Sequence, residues 1–363
     1  MKVLVTGARG FIGTNLQLFL KGREDIHVVT YDSNDTDLEE KIRGVDFVVH
    51  LAGVNRPKDV SDFKSGNTDL TRQIVDLLNQ NGAVVPLIFA SSTQAELDND
   101  YGKSKKAAED YILENCPSGI IYRLTNVFGK FCRPNYNSVV ATFCHNIANG
   151  EEIEIDDPDK VLKLIYIDDV CKEFIDVMDG KKKATEKYNR VEPIYTVTIA
   201  ELAKLIYGFR ESMQSIDVPR TGDEFVRKLF STYISYCSLD EMILDNEVHE
   251  DERGIFSELI HTMDSGQFSF SVSHPGVTRG NHYHHTKIER FMVVKGEARI
   301  LLRKVGDVTV REYVVSDKKM QSVTMPVGYT HSITNIGDTD MILAIWCNEV
   351  FDKNNPDTFY EEV

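Results

Sequence analysis

From Met1 to about Arg123 the chain alternates short β-branched runs with helix-period patterns, and this alternation restricts the fold more than any other feature. Strand-like runs fall at Val3–Thr6, His27–Asp32, Val45–Leu51, Val85–Ser91 and Gly119–Leu124. Between them lie helical patterns over Phe11–Leu20, Asp69–Gln80 and Tyr101–Asn115. Strands that alternate with helices predict βαβ units and a parallel sheet. The runs are almost wholly apolar, as in Phe47-Val48-Val49 and Pro86-Leu87-Ile88-Phe89, which fits strands covered by helices on both faces. A doubly wound α/β sheet follows.

A capping box, Thr198-Ile199-Ala200-Glu201, opens a further helix over Ile199–Tyr207. Beyond about Asp240 the helical period stops. Short strands take over at Glu258–His261, Gln267–Ser273, Arg290–Val294, Ala298–Arg303, Val308–Val315, Gln321–Met325 and Met341–Ile345, separated by Gly, Asn, Asp and Pro. That spacing predicts a small antiparallel barrel or jelly roll, so 1–242 and 243–363 are the expected domains of this 363-residue chain.

Composition narrows the function. With 41 Lys and Arg against 57 Asp and Glu the net charge is −16, which disfavours nucleic acid and anionic membrane as partners. No apolar run nears the ~18 residues of a membrane span, and Met1–Gly7 has no signal-peptide pattern. Six scattered cysteines without a Cys-x-x-Cys pair read as reduced thiols of a cytoplasmic protein.

Gly7, Gly10 and Gly13 lie between the first strand and first helix, where backbone N–H groups at a helix N-terminus can hold a dinucleotide pyrophosphate. Gly7 permits the turn, Gly10 lets the phosphate approach, and Gly13 lets helix and strand pack. The spacing G-x-x-G-x-x-G differs from the general G-x-G-x-x-G fingerprint. Asp32 closes the second strand and would accept a ribose 2′-OH, favouring NAD, whereas Arg9 would meet a 2′-phosphate, favouring NADP. NADPH is the expected cofactor, with NAD the alternative.

Tyr101 and Lys105 share a helix face, and an ammonium beside a phenol lowers its pKa toward neutrality. The hydroxyl cluster Ser91-Ser92-Thr93 ends the preceding strand, where open α/β sheets carry their chemistry.

In the second domain, Gly276, His282, His284, Glu289 and Gly296 are followed by Pro326, Gly328, His331 and Asn335. On a strand His282 and His284 point to one side, so both enter a barrel while Glu289 and His331 approach from neighbouring strands. Three imidazoles and one carboxylate suit zinc, iron, manganese or nickel, and zinc is the ion expected.

Taken together, the glycine triplet, His50-Leu51-Ala52-Gly53, Asn67-Thr68, Ser91-Ser92, Tyr101 with Lys105, Arg123-Leu-Thr-Asn126-Val-Phe-Gly129 and Ile165-Tyr-Ile-Asp168-Asp-Val170 resemble an extended short-chain dehydrogenase/reductase acting on nucleotide sugars, with a Rossmann fold. That resemblance implies Tyr101 as general acid/base, Lys105 tuning it and holding the nicotinamide ribose, and Ser92, or Thr93 in its place, bonding the reacting oxygen. It further implies Gly7, Arg9, Gly10, Phe11, Ile12, Gly13, Asp32, Leu51, Ala52, Gly53 and Lys105 as the cofactor surface. Asn126 would touch the nucleotide sugar, whose diphosphate attracts Arg123 or Arg133.

The histidine boxes resemble both cupin motifs, and Asp251-Glu-Arg253-Gly254-Ile-Phe256 with Thr278-Arg279-Gly280 resembles the branch holding 3,5-epimerases of nucleotide-linked 4-keto-6-deoxy sugars. Those are typically metal-free and use the first-box histidine as base. With a full ligand set here, His285, Lys287 and Tyr329 are further candidates to carry the proton.

The whole chain resembles bifunctional enzymes of bacterial capsule and O-antigen synthesis. Such a cupin epimerises carbon 3 of a UDP-2-acetamido-2,6-dideoxy-4-hexulose, and the reductase domain reduces carbon 4 with NADPH. The implied product is UDP-2-acetamido-2,6-dideoxy-L-talose, on the way to UDP-N-acetyl-L-fucosamine. Two other arrangements stay open: a cupin that only dimerises the reductase through a structural metal, and a first domain that is a 4-epimerase with tightly held NAD. A homodimer is expected.

Overall fold

The computed structural model describes every residue except 81, 83, 246–248, 252–253, 257–265 and 350–353. By their contacts, residues 1–138 and 161–197 form one compact unit, and 139–160 with 198–363 a second.

In the first unit, strands β1 (Lys2–Thr6), β2 (His27–Tyr31), β3 (Phe47–His50), β4 (Leu87–Ser92) and β5 (Gly119–Leu124) form one sheet in the order β2-β1-β3-β4-β5. Every neighbouring pair is parallel. All four residues of β3 are buried, as are the first five of β4, the burial expected of strands with helices on both faces. Leu4, Val48, Leu87 and Phe89 pack there against Ile74 and Leu78 of helix Leu70–Gln80 and Ala108 and Ile112 of helix Asp100–Asn115. Strand order reverses between β1 and β3, the switch point at which such sheets open a crevice for ligand. Strands β6 (Asn126–Phe128), β7 (Val161–Tyr166) and β8 (Tyr195–Thr198) make a second, smaller sheet.

The second unit is β-rich. Strands β9 (Ile243–Asp245), β12 (Gln267–Ser273), β14 (Glu289–Lys295), β17 (Gln321–Met325) and β19 (Met341–Cys347) form one sheet in the order β12-β19-β14-β17-β9. Strands β13 (Thr278–Tyr283), β15 (Glu297–Lys304), β16 (Val310–Ser316), β18 (Tyr329–Asn335) and β20 (Phe359–Tyr360) form another, β16-β15-β18-β13-β20. β10 (His249–Asp251) and β11 (Gly254–Phe256) pair as an antiparallel ribbon. Phe291, Val293 and Leu343 of the first sheet and Ile300, Leu302 and Ile333 of the second share one apolar core.

Most strands expected from sequence stand within a few residues of their predicted limits, but Glu258–His261 lies outside the described residues. β13 and β18 had no apolar alternation to announce them, because their inward positions carry histidine, threonine and asparagine. Contacts also place helices Val139–Ala148, Ile199–Met213 and Glu224–Ile234 in the second unit, although sequence reading drew its boundary at 242/243. Ser231 on the last helix donates to the Thr286 carbonyl at 2.8 Å, and Arg290 of β14 reaches the Ser215 carbonyl at 3.5 Å.

Gly13 carries the tightest packing in the first βα turn. A Cβ there would lie 2.4 Å from the Gly7 carbonyl oxygen and 2.7 Å from Ala8 Cα, both backbone atoms. Gly13→Ala is therefore expected to lower unfolding free energy by ~1–3 kcal/mol, read as a reduced midpoint in urea unfolding.

Candidate active site and metal centre

Gly7 takes φ 66° and donates to the Tyr31 carbonyl at 2.8 Å, turning the chain out of β1. A Cβ on Gly7 would stand 2.7 Å from Ala52 N, so Leu51-Ala52-Gly53 lies directly against the glycine loop. His50 fixes that contact: its ring nitrogens meet Thr6 Oγ1 at 2.7 Å and Thr71 Oγ1 at 2.9 Å. Burial, with the Lys105 charge adding to it, pushes this imidazole down to about 3, and it stays neutral. Gly10 caps the helix Phe11–Leu20 without a side chain, leaving its first N–H groups open to an anion. The cradle and the open amides fit a dinucleotide. Arg9 and Asp32 are bonded to each other, Nε to Oδ2 at 3.1 Å, with the Arg9 N–H on Oδ1 at 3.1 Å.

Helix Asp100–Asn115 starts where Asn99 accepts from the Gly102 N–H at 2.7 Å. Gly102 is required there, because a Cβ would fall 2.2 Å from the Gln94 carbonyl oxygen and 2.7 Å from that of Leu97. Such close approach brings Tyr101 onto the end of β4, where its phenol lies beside Ser92; Thr93 is exposed. Ser92 also accepts from the Gln94 N–H at 3.2 Å.

One turn along, Lys105 is buried and its Nζ donates to the Ala90 carbonyl at 3.0 Å. It stands beside Gly53, where a Cβ would be 2.9 Å from Asn67 Oδ1 and 3.1 Å from Lys105 Nζ. Asn67, in the π-helical turn Lys64–Asp69, holds Val54 N at 2.8 Å and Ser104 Oγ at 2.9 Å, tying this loop to the same helix. Burial lowers the Lys105 ammonium to about 8. The expected depression of the Tyr101 pKa by Lys105 does not occur. Burial raises the phenol above its ordinary value, and the smaller opposing influence is the neighbouring Ser92 hydroxyl.

Arg123 is engaged within the fold. Its Nε and Nη2 bond Glu109 at 2.9 and 2.6 Å, Nη1 bonds Glu96 at 2.6 Å, and Tyr188 covers the guanidinium at 3.5 Å. Ser91 donates to Glu109 at 2.6 Å. Arg133 and Asn126 are exposed. Arg133 lies over the Tyr136 ring at 5.1 Å, and Arg56, which the sequence did not single out, lies over the same ring at 5.5 Å. Asp168 is buried against Lys130, Nζ to Oδ1 at 2.7 Å.

In the second unit His282, His284, Glu289 and His331 each offer one ligand atom, all within 4.8 Å of one another. His282 and His331 face each other across the β13/β18 ladder, while Glu289 opens β14 of the other sheet. The ladder shifts register between Gly280 and His282, with Gly280 at φ 98° and Asn281 at φ 56°, and the bulge aims His282 inward. Glu289 Oε2 lies 3.1 Å from His331 Nε2 and 3.4 Å from His284 Nε2, and the latter nitrogen is buried without a hydrogen-bond partner.

Burial works against the Glu289 carboxylate, yet the neighbouring His284 and His331 hold it well below the usual range. Burial, then His331 and His284, bring His282 down to about 4. An ionised carboxylate beside the imidazoles of His282 and His331, both held below their ordinary pKa, fits a divalent metal. His284 and His331 are buried and His282 only half-buried, so solvent reaches the cluster on the His282 side.

Sheet order, glycine loop and tyrosine/lysine helix agree with the sequence family. The chain belongs to the NAD dependent epimerase/dehydratase family, which it matches over residues 3–189, and residues 249–359 match the polysaccharide biosynthesis C-terminal domain. Its relatives include UDP-2-acetamido-2,6-beta-L-arabino-hexul-4-ose reductase of Pseudomonas aeruginosa, 48% identical over 366 residues and spanning 99% of this chain and 98% of that one. Among solved structures, the capsular polysaccharide assembling protein CapF of Staphylococcus aureus has a TM-score of 0.67 at 40% identity and covers 100% of both chains. UDP-glucuronic acid 4-epimerase of Bacillus cereus, in complex with NAD, shares the fold at 19% identity, with a TM-score of 0.52 over 58% of this chain and 83% of its own.

The Arg123–Glu109 pair predicts a stability effect that a substrate-binding arginine would not give. Arg123→Met leaves the fully buried Glu109 carboxylate without its charge partner and is expected to cost ~3–5 kcal/mol in urea unfolding. Arg133→Met, at an exposed position, is expected to stay within ~0.5 kcal/mol of the native protein.

Proposed function

We propose that the chain is a bifunctional nucleotide-sugar enzyme: an NADPH-dependent reductase of the carbon-4 ketone of a UDP-2-acetamido-2,6-dideoxy-4-hexulose, joined to a cupin that epimerises carbon 3. The product on this reading is UDP-2-acetamido-2,6-dideoxy-L-talose, en route to UDP-N-acetyl-L-fucosamine. The observation that carries it is the Tyr101/Ser92 pair above a buried Lys105, set in a chain whose relative, 48% identical across nearly its full length, is a 4-hexulose reductase.

When bound, NADPH supplies the hydride. Tyr101 and Ser92 bond the ketone oxygen, and Tyr101 donates the proton that completes the alcohol as hydride reaches carbon 4. A phenol held above its ordinary pKa starts in the protonated form that reduction consumes. Lys105 holds the ribose and lies against Gly53. NADPH rather than NADH is favoured because both Asp32 oxygens already accept from Arg9, leaving an exposed guanidinium beside the ribose position.

His282, His284, Glu289 and His331 would hold the metal, zinc being the ion expected, and it would supply Lewis acidity toward the ketone. A ketone at carbon 4 acidifies the carbon-3 proton, so one substrate serves both steps. His285 and Lys287 lie on the turn between His284 and Glu289, where a proton carrier for carbon 3 belongs.

Proton NMR of the UDP-linked ketone in deuterium oxide tests the division of labour. Deuterium is expected at carbon 3 before NADPH is added, and the 6-deoxytalose after it; reduction without exchange makes the cupin a scaffold. Tyr101→Phe is expected to cut NADPH oxidation by ~10²–10⁴-fold while exchange continues. His284→Ala is expected to stop exchange while a pre-epimerised ketone is still reduced, and loss of both activities in either variant defeats the scheme. In the native enzyme kcat/KM for reduction should fall as pH rises through about 8, where Lys105 loses its charge. A profile flat across that value would remove Lys105 from the role.

A further inference from the structure

We propose that Asp357 is a positioning residue for the metal centre, fixing both the tautomer of His284 and the turn that joins His284 to Glu289. The proposal rests on the metal reading of the four-residue cluster. Asp357 belongs to neither histidine box. Its carboxylate sits inside the turn, where Oδ1 accepts the His285 N–H at 2.9 Å and Oδ2 the N–H groups of Thr286 at 2.6 Å and Lys287 at 2.7 Å. The Thr286 hydroxyl adds a fourth donor at 2.9 Å. A carboxylate gathering three successive backbone N–H groups holds the turn in one conformation, and the turn sets the separation of the two ligands.

The backbone carbonyl of Asp357 accepts from His284 Nδ1. A carbonyl can only accept, so Nδ1 carries a hydrogen, and the tautomer this selects presents its lone pair on Nε2, the atom 3.4 Å from Glu289 Oε2.

The same C-terminal segment reaches the remaining ligands. β20 pairs with β13 with Tyr360 opposite His282, and Phe359 stacks on Tyr283 at 5.5 Å. Thr358 takes the Lys287 ammonium at 2.9 Å, and Thr330, next to His331, donates to the Glu361 carbonyl. Residues 357–361 thus touch His284, pair with His282 and reach the residue beside His331. Asp357 is the member that contacts a ligand ring and the ligand-joining turn together.

Zinc affinity of the purified full chain, measured by competition with a chromophoric chelator, tests the proposal together with the His284 tautomer, read from long-range ¹H–¹⁵N NMR of the metal-free protein. Asp357→Ala keeps the backbone carbonyl but removes the carboxylate that anchors it to the turn. The variant is therefore expected to weaken zinc by ~10–100-fold and to lose the single Nδ1–H tautomer as that carbonyl leaves His284. Asp357→Asn, which keeps one acceptor oxygen, is expected to lose less of both. Zinc binding and tautomer equal to native in Asp357→Ala overturn the proposal. Should that variant fail to fold by circular dichroism, Asp357→Asn decides: it binds zinc more weakly than native, or the proposal fails. A native protein that takes up no zinc instead removes the metal reading itself, an outcome seen without any variant.

Discussion

Glu109 is the charge around which the first unit is arranged. Its side chain is fully buried and collects Ser91 at the end of β4 and both forks of Arg123 on β5. A buried carboxylate is tolerated when its oxygens are satisfied and its charge is matched, and a bidentate guanidinium does both. The consequence is geometric. Helix Asp100–Asn115 is locked to the ends of two strands at one residue, so the positions one and two turns earlier, Lys105 and Tyr101, are set over the Ala90 carbonyl and Ser92. An electrostatic constraint in the core thereby becomes a position for a phenol at the surface of the crevice.

The second unit reaches the same end by a different route. Its buried polar groups converge on one point: one carboxylate and three imidazoles, two of them with a ring nitrogen that has no hydrogen-bond partner among the described residues. Two sheets supply them, and the β13 bulge adjusts one of the two. A Cβ on Gly280 would lie 2.7 Å from the His331 carbonyl oxygen, so the bulge that aims His282 is available to glycine alone. Here the strain of the backbone is local and the ligand atoms are what it positions.

What could be read from sequence was what depends on neighbours along the chain. The glycine loop, the i,i+4 pair Tyr101 and Lys105, the capping box at Thr198 and the histidine spacing are all short-range, and all recur in the structure. What could not be read depends on partners far away. Arg123 looks like a phosphate ligand until Glu109 and Glu96 are seen beside it. Asp357 looks like a tail residue until the turn after His284 closes around it. The helix Glu224–Ile234 has an apolar face that could serve either unit, and only the bond from Ser231 to Thr286 shows which one it covers. The pKa of Tyr101 departs from the sequence expectation for the same reason, since the burial that raises it comes from the tertiary fold.

A net charge of −16 sets the last condition. On the proposed reading both the cofactor and the substrate are polyanions, and a chain of this charge repels them at a distance, so attraction has to be built at short range. The means differ by site. At the glycine loop it is uncapped backbone N–H groups, which carry no net charge and need no counterion. Beyond Gly53 it is side chains: Arg56 and Arg133 share the ring of Tyr136, and neither forms an ion pair with a carboxylate among the described residues. Two cations held at one ring repel each other, and on that reading a diphosphate drawn to them would relieve the repulsion while the ring keeps them in place without competing for them as a carboxylate would. Arg123 gives the contrast: an arginine already matched by two acids adds to the fold and has no charge left to offer a ligand.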